Sequence, residues 1–344
     1  PMTSAPKIMN GLFSALSPRQ KEVVAGRFGL EKSKEPETLA AIGERLRVTR
    51  ERVRQIEKSA LIILQRQINA TPSCLDILSR SKRFLKENGG AVRQDALLKH
   101  LEASTDDLTG NQLELLLKAS GAFTSYQEDK DFWPFYYVGK NELKTATSFI
   151  ENWGGFLQKQ KHTVLEGRYE DQFKYFLKMK NISKNHAEAY LGISKRIHKN
   201  PYGDIGLREW PEIRPVTIRD RIYLVLRKKG EPLHFETIAK TINEVNFDGR
   251  VALASTVHNE LIKDQRFVLV GRGMYGLTER GYEPGTAKVV IKRILQKHGP
   301  MKPNDVVVHV QKERFFKPNT VLINLQDKNL FKRLPDGRYH IREA

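Results

Sequence analysis

The stretch Thr49–Arg66, TRERVRQIEKSALIILQR, decides the fold, together with the short segment 38–48 that precedes it. Thr49 is a good helix N-cap, and Val53, Ile56, Ala60, Ile63 and Leu64 fall on one stripe at helical spacing. The opposite face carries Arg50, Glu51, Arg52, Arg54, Gln55 and Lys58, side chains that hydrogen-bond to base edges and phosphates. Just upstream, Thr38 caps a shorter helix with Leu39, Ile42 and Leu46 on one side. Gly43 sits where two helices approach closely, and Arg47-Val48 form the turn. Two helices joined this way read as a helix-turn-helix with Thr49–Arg66 as its recognition helix. The plainer alternative is an amphipathic helix with a solvated charged face.

Working outward, Ser17-Pro18 opens a preceding helix, with Leu16, Val23, Val24 and Phe28 on its inner face and Gly29 to end it. Residues 1–15 read as a loose lead-in. Taken together, LSPRQKEVVAGRFGL (16–30) and TLAAIGERLRVTRERVRQIEKSAL (38–61) resemble region 4 of the sigma-70 family of RNA polymerase sigma factors. The resemblance covers residues 16–67. It implies a unit that binds a promoter's −35 element through the recognition helix and docks on the β-subunit flap of bacterial RNA polymerase core. Arg50, Glu51, Arg54 and Gln55 match its base-reading positions, and the chemistry agrees: arginine pairs with guanine, and glutamate accepts from cytosine. Arg19, Arg27 and Lys58 match positions near phosphates, which set register without reading sequence. Thr38 and Leu39 match a helix N-terminus that offers backbone amides to a phosphate. Ala40 stands where the family usually has an acidic residue. Phe28 and Leu64 match positions near the flap-binding surface, or else pack a core. Sigma factors that open promoters carry a larger aromatic-rich region upstream. With residues 1–15 ahead of this unit, the chain is expected to recognise or recruit and not to melt DNA by itself.

The remaining chain reads as a series of small modules. Over 71–140, helices at 75–85, 94–101 and 108–120 precede strands at 122–126 and 132–138, the order of a winged helix. Residues 141–212 are mainly helical, a possible degenerate copy, with aromatics Phe149, Trp153, Phe156, Phe173, Tyr175 and Phe176. Those rings read as a packed core, with base stacking as the alternative. Pro211–Pro215 reads as a linker.

Over 217–280 the winged-helix order is clearer: helices 218–229, 236–243 and 254–263, then strands 267–270 and 274–277. PLHFETIAKTIN, STVHNELIKD and RFVLVGRGMYGLTE resemble the HARE-HTH module, a DNA- or polymerase-binding family that includes the polymerase delta subunit. The delta subunit's long acidic tail has no counterpart in this sequence. Residues 286–344 repeat the pattern, with Asp336-Gly337 as a strong hairpin turn. The expected fold class is therefore mainly α with small β-hairpin wings, a helix-turn-helix head followed by winged-helix modules.

Composition fits a polyanion partner. Of 344 residues, 59 are Lys or Arg and 40 Asp or Glu, a formal charge of +19, and such an excess favours double-stranded DNA, RNA or an acidic surface. Lys228, Lys229, Arg250, Arg272, Lys292, Arg293, Lys297, Lys332 and Arg333 are further candidate phosphate contacts. The single cysteine, Cys74, excludes an intrachain disulfide and a multi-cysteine zinc site. Neither a membrane span nor a signal peptide is present, which suggests a nucleoid-associated cytoplasmic protein. No cofactor, metal or catalytic group is expected. The sharpest enzymatic alternative is a nuclease core in which Asp131 joins Glu142-Leu143-Lys144. The other alternative is a polymerase-bound accessory or architectural protein that does not read sequence.

Overall fold

A computed structural model describes residues 5–30, 35–105, 107–282, 285–314 and 316–342. The chain divides into two compact units, Pro1–His198 and Lys199–Ala344. Both are mainly helical with small antiparallel sheets, the expected class.

The first unit does not begin with a loose lead-in. Ala5–Ser14 forms helix α1 and buries Ala5, Ile8, Met9 and Leu12, residues spaced so that they share one helical face. Helix α2 (Pro18–Phe28) starts from a capping box between Ser17 and Gln20 and stops at Gly29, whose φ of 59° is left-handed. Helix α3 (Leu39–Leu46) is capped by Thr38, whose side chain accepts from the Ala41 amide. Arg47 takes the left-handed conformation (φ 55°), and α4 (Arg50–Ala70) follows from its Thr49 cap. The turn between them depends on Gly43, because a Cβ there would lie 2.8 Å from the Val48 carbonyl oxygen. Val23, Ile42 and Val53 are fully buried at the centre of this helix-turn-helix, ringed by Leu39, Leu46, Val48 and Ile56.

Residues 71–140 fold as α5 (Pro72–Glu87), β1 (Ala91–Arg93), α6 (Gln94–Glu102), α7 (Gly110–Ser120), β2 (Thr124–Tyr126) and β3 (Phe135–Tyr137). The sheet order β1-β3-β2 is antiparallel throughout, which is winged-helix architecture. A boundary near residue 70 is not visible in the packing. Thr71 ends α4 and begins α5, α7 packs along α4, and one continuous core joins Leu12, Phe28, Leu64 and Ile68 to Cys74, Leu113 and Leu117.

The rest of the first unit is α8 (Lys140–Lys159), the single turn α9 (Lys161–Thr163), a π-helical segment 164–168, α10 (Tyr169–Lys180) and α11 (Lys184–Ile193). The π segment kinks at Gly167, φ 87°. Trp153 is fully buried against Phe176 and Phe173, with ring centroids 4.9 and 5.3 Å away. These aromatics are therefore core, and base stacking is not open to them; Tyr175 alone of the large rings there is well exposed. The Tyr190 hydroxyl donates to the Gly89 carbonyl oxygen at 2.9 Å, fastening α11 to the winged-helix portion.

Strands β4 (Ile197–Lys199) and β5 (Ile205–Leu207) come next. The expected linker at 211–215 is instead folded. Ile213 is fully buried, Trp210 nearly so, both close over Gly206, and the Asn200 side chain donates to the Glu212 carbonyl oxygen at 3.0 Å.

Helix α12 (Ile218–Lys229) runs from a Thr217–Asp220 capping box to Gly230, φ 79°. Strand β6 (Leu233–His234), α13 (Phe235–Val245), α14 (Ala254–Lys263), β7 (Phe267–Gly271) and β8 (Met274–Leu277) complete a winged helix with sheet order β6-β8-β7. Its core gathers Ile222, Leu226, Ile238, Val257, Leu261 and Tyr275. The last module repeats the plan with α15 (Ala287–His298), α16 (Pro303–Glu313), α17 (Pro318–Leu325), β9 (Phe331–Arg333) and β10 (Tyr339–Ile341). Here an isolated bridge from Met301 to Tyr339 stands in for the third strand.

Candidate nucleic-acid interface

Burying Val53, Ala60, Leu64 and Ile68 turns the other face of α4 to solvent. Arg50, Glu51, Arg52, Arg54, Gln55 and Lys58 are all exposed there. The four expected base-reading residues thus share one outward face in the first turns of a capped helix, the part of a recognition helix that contacts base edges.

These side chains are not idle in the free chain. Arg54 grips Glu51 with two donors, Nη2 to Oε1 at 2.6 Å and Nε to Oε2 at 2.8 Å. This fork holds the Glu51 carboxyl below its ordinary value and raises Arg54. Arg52 Nη1 donates to Gln55 Oε1 at 3.2 Å. Binding to a base edge would therefore exchange partners that the helix already supplies.

The expected phosphate contacts divide by geometry. Lys58 is exposed. Arg19 is exposed but donates to the Leu46 carbonyl oxygen at 2.8 Å, capping the end of α3. Arg27 is half-buried and tied inward, to Glu57 at 3.2 Å and to the Glu37 carbonyl oxygen at 2.6 Å. This arginine braces the loop before α3 against α4. At the start of α3, Thr38 is exposed and its own hydroxyl occupies the Ala41 amide, while Leu39 leans into the small core.

Phe28 and Leu64 do not form a partner-facing surface. Phe28 is 5% and Leu64 0% exposed, and both belong to the core shared with α7. The Lys118 ammonium lies 5.4 Å from the centroid of the Phe28 ring. Both residues thus take the core-packing alternative, with α1 and α7 of the same chain beside them.

Lys118 itself was not apparent from sequence. Packing of α7 places it with Arg54, Lys58, Leu61, Ile62 and Gln65 around a groove of about 360 Å³ beside α4. No local pattern announces this, since it depends on contact between two elements distant in the chain.

Of the further cations, Lys228 pairs with Asp204 at 2.6 Å, Arg250 with Asp248 at 3.6 Å, and Arg293 with Glu313. Lys229, Arg272, Lys292, Lys297, Lys332 and Arg333 are exposed. The helices placed like α4 in the other modules lack its chemistry. On α14 the exposed residues are Ser255, Thr256, Asn259, Ile262 and Lys263, a single cation, and α17 carries none.

The nuclease alternative fails on placement. Glu142, Leu143 and Lys144 lie near the start of helix α8 and not on a strand. Among the described residues no group of three potential ligands could hold a metal ion. No described helix is long and apolar enough to cross a membrane.

With this geometry in view, the comparisons with known proteins fall on the same elements. The family model for Sigma-70, region 4 matches residues 12–66. Over 58 residues the chain is 48% identical to the RNA polymerase sigma-B factor of Nostoc sp., covering 17% of this chain and 17% of that protein. RNA polymerase sigma factor SigA2 of Synechococcus elongatus is 41% identical over 59 residues, 17% of this chain and 18% of that one. RNA polymerase sigma factor RpoD of Helicobacter pylori is 47% identical over 53 residues, 15% and 8% of the two chains. The chain thus spans less than a fifth of the length of these relatives.

Proposed function

We propose that this chain is a non-catalytic, sigma-type transcription factor whose α4 reads a −35-like element in double-stranded DNA and whose partner is bacterial RNA polymerase core. The observation that carries the reading is the single exposed face of α4. It holds Arg50, Glu51, Arg54 and Gln55 together within the segment matched to sigma-70 region 4. Arginine supplies paired donors for guanine, and glutamate and glutamine add an acceptor for cytosine and a bidentate partner for adenine. Lys58, Arg19 and Lys118 would lie toward phosphates and set register.

The later winged-helix modules, including the HARE-HTH-like segment 217–280, serve this reading as supporting contacts to DNA or polymerase. Their outward helices offer little for base recognition, so sequence reading is assigned to the head. Docking on polymerase would use a surface other than Phe28 and Leu64.

One observation favours a second reading. Pairing of Arg54 with Glu51 and of Arg52 with Gln55 satisfies the reading groups internally, as an accessory protein that binds DNA through charge alone would tolerate. Fluorescence anisotropy with a duplex bearing a −35-like element and a scrambled duplex separates the two. Sequence reading predicts that Arg54→Ala reduces the preference for the −35-like duplex by about tenfold or more. An unchanged preference, with binding that falls steeply with salt in both proteins, would establish the charge-only role. Capture of core polymerase by the chain from a bacterial lysate tests the partner.

A further inference from the structure

The strongest unexplained feature lies in the second unit, far along the chain from α4. The segment after β8 (Arg280, Tyr282), one face of α15 (Arg293, Lys297) and the end of α16 with the residue after it (Lys312, Glu313, Arg314) enclose a cavity of about 390 Å³. Arg314 is 1% exposed, yet its Nε, Nη1 and Nη2 atoms have no hydrogen-bond partner among the described residues. Glu313, the carboxylate among the described lining residues, is engaged by Arg293. Burial and the neighbouring Arg293 both lower the Arg314 pKa, and Arg280, Lys297 and Lys312 add further positive charge to the same walls.

A buried guanidinium whose donors find no partner among the described residues is costly to keep, and here it faces an opening lined by cations. What would complete it is an anion with several acceptors. Guanidinium forks match the oxygens of phosphate in pairs, and the exposed ammonium groups of Lys297 and Lys312 suit a charge at the mouth. The volume is at the lower end of the range for small-molecule sites, large enough for a phosphate with part of what it is attached to.

We propose that this cavity is a phosphate-binding site anchored by Arg314. The phosphate belongs either to a free phosphorylated small molecule or to a nucleic-acid backbone, two sources with the same chemistry at the guanidinium. Nothing about the site depends on the head reading a promoter.

The test uses the full chain, isothermal titration calorimetry with inorganic pyrophosphate, and the variant Arg314→Met, which keeps the bulk and removes the charge. The native chain should bind pyrophosphate, and Arg314→Met should bind it about 10- to 100-fold more weakly, the loss expected for charged hydrogen bonds. Without ligand, Arg314→Met should melt no lower than the native chain, because an unpaired buried charge has been removed. Equal pyrophosphate binding by the two proteins, or a markedly lower melting temperature for the variant, would overturn the proposal. Should Arg314→Met fail to fold, Lys297→Ala combined with Lys312→Ala decides the matter. These exposed substitutions should weaken pyrophosphate binding several-fold, and an unchanged affinity refutes the site. The source is then read from a scrambled duplex. If backbone phosphate is the occupant, pyrophosphate competes with the duplex and the site variant lowers the salt slope by about one. If duplex binding is indifferent to both, the ligand is a free phosphorylated molecule.

Discussion

Truncating Leu64 to alanine separates a core residue from a partner-facing one by the size of its effect. Leu64 is fully buried on the face of α4 that meets α1 and α7, in the core that also contains Leu12, Phe28, Leu113 and Leu117. Removing its branched end leaves a cavity that this packed environment closes only in part, and such substitutions cost about 2–5 kcal/mol. For a unit of this size each kcal/mol moves the melting temperature by about 2–4 °C, so Leu64→Ala should lower it by roughly 4–20 °C. Ile62 supplies an internal control. It lies on the same helix but is 47% exposed, and Ile62→Ala should change stability by no more than about 0.5 kcal/mol. Thermal and urea unfolding followed by intrinsic fluorescence measure both variants, and pull-down of polymerase reports any binding surface. A Leu64→Ala protein that melts like Ile62→Ala but no longer captures polymerase would refute the assignment of Leu64 to the core.

Two other perturbations bear on the same unit. In an open helix Gly→Ala gains about 1 kcal/mol, but Gly43→Ala places a methyl 2.8 Å from the Val48 carbonyl oxygen. Overpacking of about 1–3 kcal/mol should outweigh the gain, and a stabilised variant in urea unfolding would show that the α3–α4 turn is not tightly packed. Burial pushes the Cys74 thiol from 9.0 to about 11, so the folded chain holds this proton more tightly than the unfolded one. Its contribution to stability is complete below about pH 9 and lost as pH rises towards 11. Iodoacetamide at pH 8 should modify it far more slowly in the native protein than in urea, and equal rates would contradict its burial.

Much of the architecture was legible because short-range chemistry marks it. Gly29 and the Asp336-Gly337 turn mark ends that the structure reproduces, with α12, α14 and β8 at the expected residues. Helix α1 falls within the apparent lead-in although Ala5, Ile8, Met9 and Leu12 have helical spacing. Strands β1 and β6 are three and two residues long, too short for alternation to register. The outward face of α4 followed from its apolar stripe. What covers the inward face did not, since periodicity shows that a side is buried but not by which element. The same limit hid the inward ties of Arg27, the folding of Trp210 and Ile213 within an apparent linker, and the burial of Arg314. Each is settled by residues far away in sequence or by the packing of whole helices.

The absence of a packing boundary between α4 and the winged-helix portion has a mechanical consequence. A DNA-reading head on a tether finds its site independently of whatever else its chain is holding. In the first unit, α4 is 21 residues long, about 31 Å of unbroken helix, and it shares one core with α5, α6 and α7. Tyr190 then fastens the aromatic helices to that same block. A duplex seated on α4 would stand at a set distance and angle from any partner gripping α8–α11. The first unit would then act as a ruler, able to measure spacing along DNA as well as mark a position on it.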